Sequence, residues 1–116
     1  MQIRFYRSSD REALQSYHLT DLRFTNHPSQ AVDYLENRYA ILGLVEHQIV
    51  TFLILDAGEK KFTYGGQPDG LLLRSFSTDE DFRMRGYGSQ TLKLLPDFIR
   101  EHLPMYKSII LGVNER

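Results

Sequence analysis

The stretch from Leu71 to Val113 constrains the fold of this chain more than any other part of the sequence. It begins with a β-rich run (LLLRSFST, 71–78), passes through a turn with two glycines into a helical pattern, and ends in a second β-rich run (KSIILGV, 107–113). A strand, a helix and a strand in this order form a right-handed crossover that pairs the two strands in parallel. Pro96 lies inside the helical pattern and predicts a kink, because proline lacks a backbone donor. One side of the helix is predicted to present Leu92, Leu95, Phe98, Ile99 and His102.

The residues before this stretch predict the antiparallel part of the same sheet. Tyr39–Glu46 and Gln48–Leu55 are β-rich runs separated by a very short polar break at His47, which is a hairpin signal. Ile3–Tyr6 alternates apolar and polar residues and predicts another short strand. Residues 57–70 are rich in glycine and are expected to form a mobile loop.

Two helices are predicted between the first strand and the hairpin. Ser9 and Glu12 have the spacing of a capping box, so the first helix is expected to begin there and to run to about Leu19. Pro28 suits the first turn of a second helix, which is expected to end near Asn37. The predicted order is therefore β-α-α-β-β-β-α-β. This order indicates the α/β class, with an α+β mixed sheet that carries helices on its faces.

Length, charge and composition exclude several classes of protein. The chain has 116 residues, which suffice for one compact domain over residues 1–116 and not for two. With 14 basic and 15 acidic residues the net charge is -1, so no strong field points to nucleic acid or to an anionic membrane. The chain has no cysteine, and its four histidines lack metal-ligand spacing, so we expect no metal site.

The amino-terminal residues, MQIRFYRSSD, lack the apolar core of a signal sequence. No run approaches the roughly 18 apolar residues that a membrane-spanning helix needs. We therefore expect no membrane association and a cytoplasmic location.

The turn before the long helix has the chemistry of an anion-binding site. The first four backbone N–H groups of a helix lack intrahelical partners, and the helix dipole adds partial positive charge there. Gly86 and Gly88 leave the backbone accessible, and Arg83 and Arg85 add positive charge. Phosphate is the natural ligand of such a turn. The alternative is a tight strand-to-helix turn with solvated arginines. The turn lacks the lysine of a Walker loop and is not the dinucleotide-binding fingerprint.

The residues RMRGYG, from Arg83 to Gly88, fit the motif (Gln/Arg)-x-x-Gly-x-(Gly/Ala) of the GNAT superfamily of N-acetyltransferases. The longer stretch LLLRSFSTDEDFRMRGYG resembles the strand, short acidic turn and pyrophosphate loop of that family in unbroken register. The element order is also similar from residue 1 onward. The resemblance implies a GNAT-like fold and transfer of an acetyl group from acetyl-CoA to a primary amine of a small-molecule or peptide acceptor.

The resemblance also assigns residues to acetyl-CoA. Backbone N–H groups from Arg85 to Ser89 would hold the diphosphate, and the end of the strand would pair with the pantetheine arm through its backbone. A backbone N–H near Phe76 or Thr78 would polarise the thioester carbonyl, as an oxyanion hole does. The implied cofactor-binding residues are Phe76, Ser77, Thr78, Arg83, Met84, Arg85, Gly86, Tyr87, Gly88, Ser89 and Asn114.

The sequence departs from the family in its catalytic groups and at its end. The strand at 71–78 has no Asp or Glu, so Glu46 is the best candidate for a general base, with a solvated charge as the alternative. The family continues with a helix and two strands that carry an acid tyrosine, whereas this sequence stops at Arg116. We expect either a piece of a longer enzyme or a short product whose exposed sheet a partner covers, as in a homodimer.

Three functions stay open at this point. The first is an amine N-acetyltransferase, for which Asp21, Asp33 and Glu46 weakly favour a cationic acceptor. The second is a non-catalytic CoA-binding or regulatory module, which the missing carboxylate and tyrosine favour. The third is a phosphate-binding interaction domain outside the family, which would not prefer CoA over other phosphorylated ligands.

Overall fold

The structure, a computed structural model, describes residues 1–22 and 26–111. Its main element is a five-stranded sheet, flanked by two short helices near the amino terminus and one long helix. The strands are β1 (Gln2–Phe5), β2 (Arg38–Val45), β3 (Gln48–Asp56), β4 (Gly70–Thr78) and β5 (Ser108–Leu111). The helices are α1 (Arg11–Gln15), α2 (Pro28–Ala31) and α3 (Tyr87–His102). Within the described ranges, no helix combines the length and apolar character that a membrane span requires.

The five strands lie in the sheet in chain order, from β1 to β5. The first three pairings are antiparallel, and β4 and β5, which α3 connects, are parallel. This confirms the predicted mixed sheet, the hairpin and the parallel pair. The hairpin turn consists of Glu46 and His47, whose φ angles are 51° and 69°. Two positive φ angles in succession are typical of a type I′ turn, which matches the twist of the flanking strands.

Both faces of the sheet are covered, which explains why β2, β3 and the first half of β4 carry apolar residues on both faces. On one face Leu42, Phe52 and Ile54 pack with residues of α1 and α2, among them Leu14 and Ala31. On the other face a second cluster joins the sheet to α3: Ile41, Leu53, Leu55, Leu71, Leu73, Leu95, Phe98, Ile99 and Leu103. Two separate apolar clusters, one on each face, therefore hold the sheet and its helices in place.

The two short helices differ from their predicted extents. A 3₁₀ turn at Ser8–Asp10 precedes α1, and the Asp10 carboxylate accepts the backbone N–H of Arg7 at 2.8 Å. The capping box predicted at Ser9 was therefore wrong, and α1 ends at Gln15 rather than near Leu19. Pro28 is the first residue of α2, as predicted, but α2 is a single turn that ends at Ala31.

The glycine-rich stretch predicted as a loop contains a 3₁₀ helix, Glu59–Tyr64. Lys61 in this helix is buried, with 4% of its surface exposed. Its ammonium donates to the carbonyls of Ala57, Pro68 and Gly70 at 3.2, 2.8 and 3.0 Å. These three acceptors satisfy all three donors of the ammonium, so Lys61 anchors the segment to the start of β4.

Helix α3 continues through Pro96 to His102. Its buried residues are Thr91, Leu95, Phe98 and Ile99, so most of the predicted side is confirmed. Leu92 and His102 are exceptions, because both are exposed and Thr91 is buried instead. The kink at Pro96 stays a prediction.

Candidate functional site

A β-bulge divides β4 at Ser75. Phe52 and Ile54 of β3 pair with Ser77 and Arg74 of β4, so three steps along β4 match two steps along β3. Ser75 has a φ of 55°, in the left-handed region that non-glycine residues rarely adopt. Such bulges leave one residue unpaired, increase the local twist and are over-represented beside active sites.

After the bulge, the backbone N–H groups of β4 alternate between the edge that faces β3 and the opposite edge. The backbone N–H of Asp79 donates to the carbonyl of Val50 on β3 at 2.8 Å. Because successive backbone N–H groups point to alternate edges of a strand, those of Thr78 and Phe76 point away from β3. The described β4–β5 pairs extend only to Leu73 and its partner on β5, before the bulge. The carboxyl end of β4 therefore directs these two amides towards the side on which β5 lies.

The turn after β4 prepares the start of α3. Met84 and Gly86 have φ angles of 67° and 77°, so the backbone is left-handed at two alternate positions. Gly86 directly precedes the first residue of α3, Tyr87, and no side chain in the described part of the protein caps this helix start. The amides that follow Gly86 therefore lack the side-chain cap that most helices provide. Alternation of this kind creates the concave arrangement of N–H groups that binds anions.

A groove of about 280 Å³ lies between the end of β4 and the start of α3. Nine residues line it: Phe76, Ser77, Thr78, Phe82, Arg83, Met84, Gly86, Tyr87 and Gly88. Eight of these nine belong to the predicted cofactor-binding set, which the structure thus brings together in one place. Arg85 and Ser89 flank the groove in sequence without lining it. Asn114 lies outside the described residues. Phe82 was not predicted to line the groove, although its aromatic side chain directly before the arginines is a visible signal in the sequence.

Both arginines of the turn are exposed at this site. The Arg83 guanidinium lies 3.6 Å from the Glu80 carboxylate, with 54% of its side chain exposed. The Arg85 guanidinium lies 5.6 Å from the centre of the Phe82 ring, within range of a cation–π contact. Neither contact removes the positive charge from the surface, so the mouth of the groove favours an anionic ligand.

The acidic run after β4, Asp79–Asp81, has a structural role. Asp79 is buried, and its carboxylate accepts the backbone N–H groups of His18 and Asp81 at 3.1 and 2.9 Å. The Glu80 carboxylate accepts the backbone N–H of Thr20 at 2.7 Å, which lowers the pKa of Glu80. These bonds join the segment after α1 to the turn that precedes α3.

Two further contacts strengthen this junction. The buried Tyr17 hydroxyl lies 2.9 Å from the Ser77 hydroxyl, and burial raises the pKa of Tyr17, so the phenol stays protonated at neutral pH. The His18 imidazole lies 2.9 Å from the Asp81 carboxylate, and this hydrogen bond raises the pKa of His18.

The same region contains a group of atoms that could ligate a cation. His18, Asp79 and Asp81 place one ligand-type atom each within 4.8 Å of one another. The hydrogen bonds described above explain this proximity, so it carries no argument for a metal. The expected absence of a metal stays a prediction.

Glu46, the predicted base, occupies the first position of the β2–β3 turn rather than the end of a strand. Its side chain is exposed and is not among the residues that line the groove. The turn does lie at the same edge of the sheet as the end of β4, because Thr51, the fourth residue of β3, pairs with Thr78. The catalytic role of Glu46 therefore stays a prediction.

Comparison with known proteins identifies the family. No family model matches the sequence. The uncharacterized N-acetyltransferase YbbJ of Bacillus subtilis (strain 168) is 32% identical over 120 residues, covering 98% of this chain and 75% of that protein. A crystal structure of a GNAT family acetyltransferase from Staphylococcus aureus subsp. aureus USA300_TCH1516 matches with a TM-score of 0.72 and 20% identity, over 99% of this chain and 87% of that chain.

A second solved structure, the aminoglycoside N-acetyltransferase AAC(6')-Iy in complex with CoA, matches with a TM-score of 0.66 and 10% identity. The match covers 99% of this chain and 81% of that chain. At these identities the two structures establish the fold, and the Bacillus subtilis relative, at 32% over nearly the whole chain, establishes the kinship. The chain belongs to the GNAT family of N-acetyltransferases.

Proposed function

We propose that this protein transfers the acetyl group of acetyl-CoA to a primary amine of a small-molecule or peptide acceptor. The observation that carries the proposal is the uncapped start of α3, where left-handed backbone at Met84 and Gly86 opens onto the groove beside β4. A diphosphate suits this arrangement, because its charge complements both the free N–H groups and the two arginines.

The groove residues fit the remainder of acetyl-CoA in a simple way. The N–H groups of Arg85 to Ser89 would hold the diphosphate, while Phe76, Ser77 and Thr78 would pair with the pantetheine arm as an added strand does. Bound acetyl-CoA would supply an activated thioester. The N–H groups of Phe76 and Thr78, which point away from β3, would stabilise negative charge that develops on the carbonyl oxygen.

The proton that the amine must lose has two candidate routes. Glu46 is proposed as the base, either directly or through water, since its turn lies at the edge of the sheet where β4 ends.

A second function is favoured by one observation, namely that the residues lining the groove include no carboxylate. On that reading the protein binds CoA as a regulatory module without turnover.

The test combines binding and turnover. The melting temperature is measured with acetyl-CoA, CoA and ATP, and thiol release is then followed across amines that include polyamines, amino acids and peptides. We expect acetyl-CoA at 100 times its Kd to stabilise the protein by about 2.7 kcal/mol, and at least one amine to release thiol. Stabilisation by acetyl-CoA with no thiol release from any amine would favour the regulatory module. Equal stabilisation by ATP would refute CoA recognition.

Replacing Gly88 by alanine is expected to strengthen the fold and to leave acetyl-CoA binding close to that of the wild type. An added Cβ would lie 3.4 Å from the Thr78 hydroxyl and 3.5 Å from the Phe76 ring, which are ordinary contacts. Alanine in a helix is favoured over glycine by about 0.5–1 kcal/mol. The family motif admits alanine at this position, so we expect the KM for acetyl-CoA to stay close to the wild-type value. Urea unfolding and steady-state kinetics measure the two quantities, and a large rise in the KM for acetyl-CoA or a loss of stability would contradict the prediction.

The proposal extends to the setting in which the protein works. We propose one domain over residues 1–116, a cytoplasmic location, and no nucleic-acid, membrane or metal partner. A homodimer is also part of the proposal, since β5 is the last strand of the sheet within the described residues and offers a free edge. Light scattering on the purified protein measures the mass.

A further inference from the structure

A second, larger cavity lies on the α1/α2 side of the sheet. It has a volume of about 600 Å³ and is mostly polar. Its lining includes the carboxylates of Asp33 and Glu36 and the guanidinium groups of Arg38 and Arg74. Neither the family motif nor the groove described above involves this cavity.

The two arginines share a single buried counter-charge. The Asp56 carboxylate has 5% of its side chain exposed, and its Oδ2 atom accepts from Arg38 Nε and Arg74 Nη1, each at 3.2 Å. Its Oδ1 atom accepts the backbone N–H of Gly58 at 2.8 Å. One negative charge thus holds two positive charges in place, and the three groups together carry a net charge of +1.

Both guanidinium groups remain available to a ligand. About a third of each side chain is exposed, 32% for Arg38 and 34% for Arg74. The bond to Asp56 uses one of the five N–H donors of Arg74. Guanidinium groups in this state bind carboxylate or phosphate oxygens in pairs and with fixed geometry.

The cavity and the groove are lined by neighbouring positions of β4, on either side of its bulge. Arg74 lines the cavity and Phe76 lines the groove, with the bulged Ser75 between them. Two residues along a strand span about 7 Å. An acceptor held at Arg74 would therefore present its amine close to the part of β4 where the thioester of acetyl-CoA is proposed to lie.

We propose that this cavity is the acceptor subsite and that Arg38 and Arg74 select an amine that also carries an anionic group. This inference rests on the proposed acetyl transfer and names the class of its acceptor. The other charged groups are consistent with such an acceptor. The Asp33 carboxylate is already paired with Arg11 at 2.5 Å, and the exposed Glu36 is free to attract the ammonium of the acceptor. An amine without an anionic group would leave the excess positive charge unmatched.

The experiment compares matched amines that differ only in the anionic group. Glycine, L-leucine and L-phenylalanine are each paired with their primary amides. β-Alanine, β-alaninamide and 2-aminoethylphosphonate form a matched set that separates carboxylate from phosphonate recognition. Binding is measured by calorimetry with the protein saturated with CoA, so that this readout does not require turnover, and thiol release is measured with acetyl-CoA. We expect at least one acid to bind 10 to 100 times more tightly than its amide, the range of a charge-assisted hydrogen bond.

Three variants test the residues. Arg74→Gln is expected to weaken binding of the preferred acid at least tenfold, to change its amide less than twofold and to leave the KM for acetyl-CoA unchanged. Asp56 keeps Arg38 and the Gly58 amide as partners in this variant, so the fold should persist. Arg74→Lys keeps the charge and is expected to restore part of the affinity. Arg100→Gln removes an equal charge from an exposed position on α3 and is expected to behave like the wild type.

The outcomes separate this inference from the proposed function. The inference is overturned if acids and amides bind equally, or if Arg74→Gln weakens the binding of both by the same factor. In either case, thiol release from some other amine would still support the transferase. Tighter binding of the acids without thiol release from any amine would uphold an anion-selective amine site in the cavity and refute both the transferase and the role of this site as its acceptor subsite.

Discussion

Replacing Gly86 by valine is expected to remove most of the stabilisation that acetyl-CoA gives to this protein. Gly86 has a φ of 77°, and the space that a Cβ would occupy is open, so no collision opposes the substitution. The obstacle is the backbone, because a left-handed conformation costs an L-residue about 1–2 kcal/mol and suits β-branched side chains least. If the backbone relaxes to negative φ, the amides at the start of α3 turn away from the groove.

The expected magnitude follows from the bonds that would be lost. A hydrogen bond to a charged group contributes about 1.5–3 kcal/mol, so losing one or two raises the Kd for acetyl-CoA about 100-fold. At 100 times the wild-type Kd, stabilisation falls from about 2.7 to about 0.4 kcal/mol. For a chain of this size we expect the rise in melting temperature to shrink from about 10 °C to about 2 °C.

Gly65 provides a matched control within the same chain. Its φ is 81°, and a Cβ built on it also meets nothing within 4 Å. It follows the 3₁₀ helix Glu59–Tyr64 and does not line the groove. Gly65→Val should therefore lose about the same stability as Gly86→Val and retain acetyl-CoA binding. If both variants bind acetyl-CoA as the wild type does, the diphosphate does not lie on the amides after Gly86.

The geometry of the turn before α3 could be predicted because its determinants are local. Positive φ at Gly86, the free amides of α3 and the charges of Arg83 and Arg85 all follow from six adjacent residues. The parallel pairing of β4 and β5 could also be predicted, since a strand, a long helix and a strand admit few arrangements. The fold class and most residues of the groove could therefore be predicted from short-range patterns in the sequence.

The features that could not be predicted depend on partners far apart in sequence. The bulge at Ser75 is a property of the register between β3 and β4, and nothing in LLLRSFST marks it. Asp79 and Glu80 resembled a solvated acidic run because their partners, His18 and Thr20, lie about 60 residues earlier. The predicted extents of α1 and α2 were wrong for a related reason. Propensity and capping signals determine the ends of a helix less firmly than tertiary contacts do.

The largest loss of stability is expected from Gly43→Ala, a one-carbon change in β2. A Cβ at this position would lie 1.9 Å from the Thr51 hydroxyl oxygen and 3.3 Å from the Thr51 Cβ. Thr51 is fully buried, and its hydroxyl lies 2.8 Å from the hydroxyl of Thr91 on α3. Thr51 can avoid the collision only by rotating its β-branched side chain, which breaks this contact. Overpacking costs about 1–3 kcal/mol and the hydrogen bond about 1 kcal/mol, so we expect a loss of about 3 kcal/mol in the free energy of unfolding.

A second substitution distinguishes this collision from a general intolerance of β2. Thr51→Ala removes the colliding oxygen, and Thr91 keeps the carbonyl of Tyr87 as a hydrogen-bond acceptor at 2.8 Å. The variant that combines Gly43→Ala with Thr51→Ala should therefore be more stable than Gly43→Ala alone, with a coupling energy of at least about 1 kcal/mol. As a control, Thr51→Ala is combined with Gly65→Ala, which lies outside the sheet after the 3₁₀ helix. The losses in the free energy of unfolding of these two substitutions should add within about 0.5 kcal/mol. Urea unfolding of the single and double variants measures both the coupling energy of the Gly43/Thr51 pair and the additivity of the control pair.

The consequence for function follows from where the contact lies. Thr51 pairs with Thr78 at the end of β4, and Thr91 belongs to the second turn of α3. The small volume of Gly43 thus lets α3 dock against the sheet directly beneath the groove. We therefore expect Gly43→Ala to raise the KM for acetyl-CoA at temperatures well below its melting point, and the double variant to recover part of that loss. A KM unchanged in Gly43→Ala would mean that the start of α3 is positioned by the bonds of Asp79 and Glu80 rather than by the buried threonine pair.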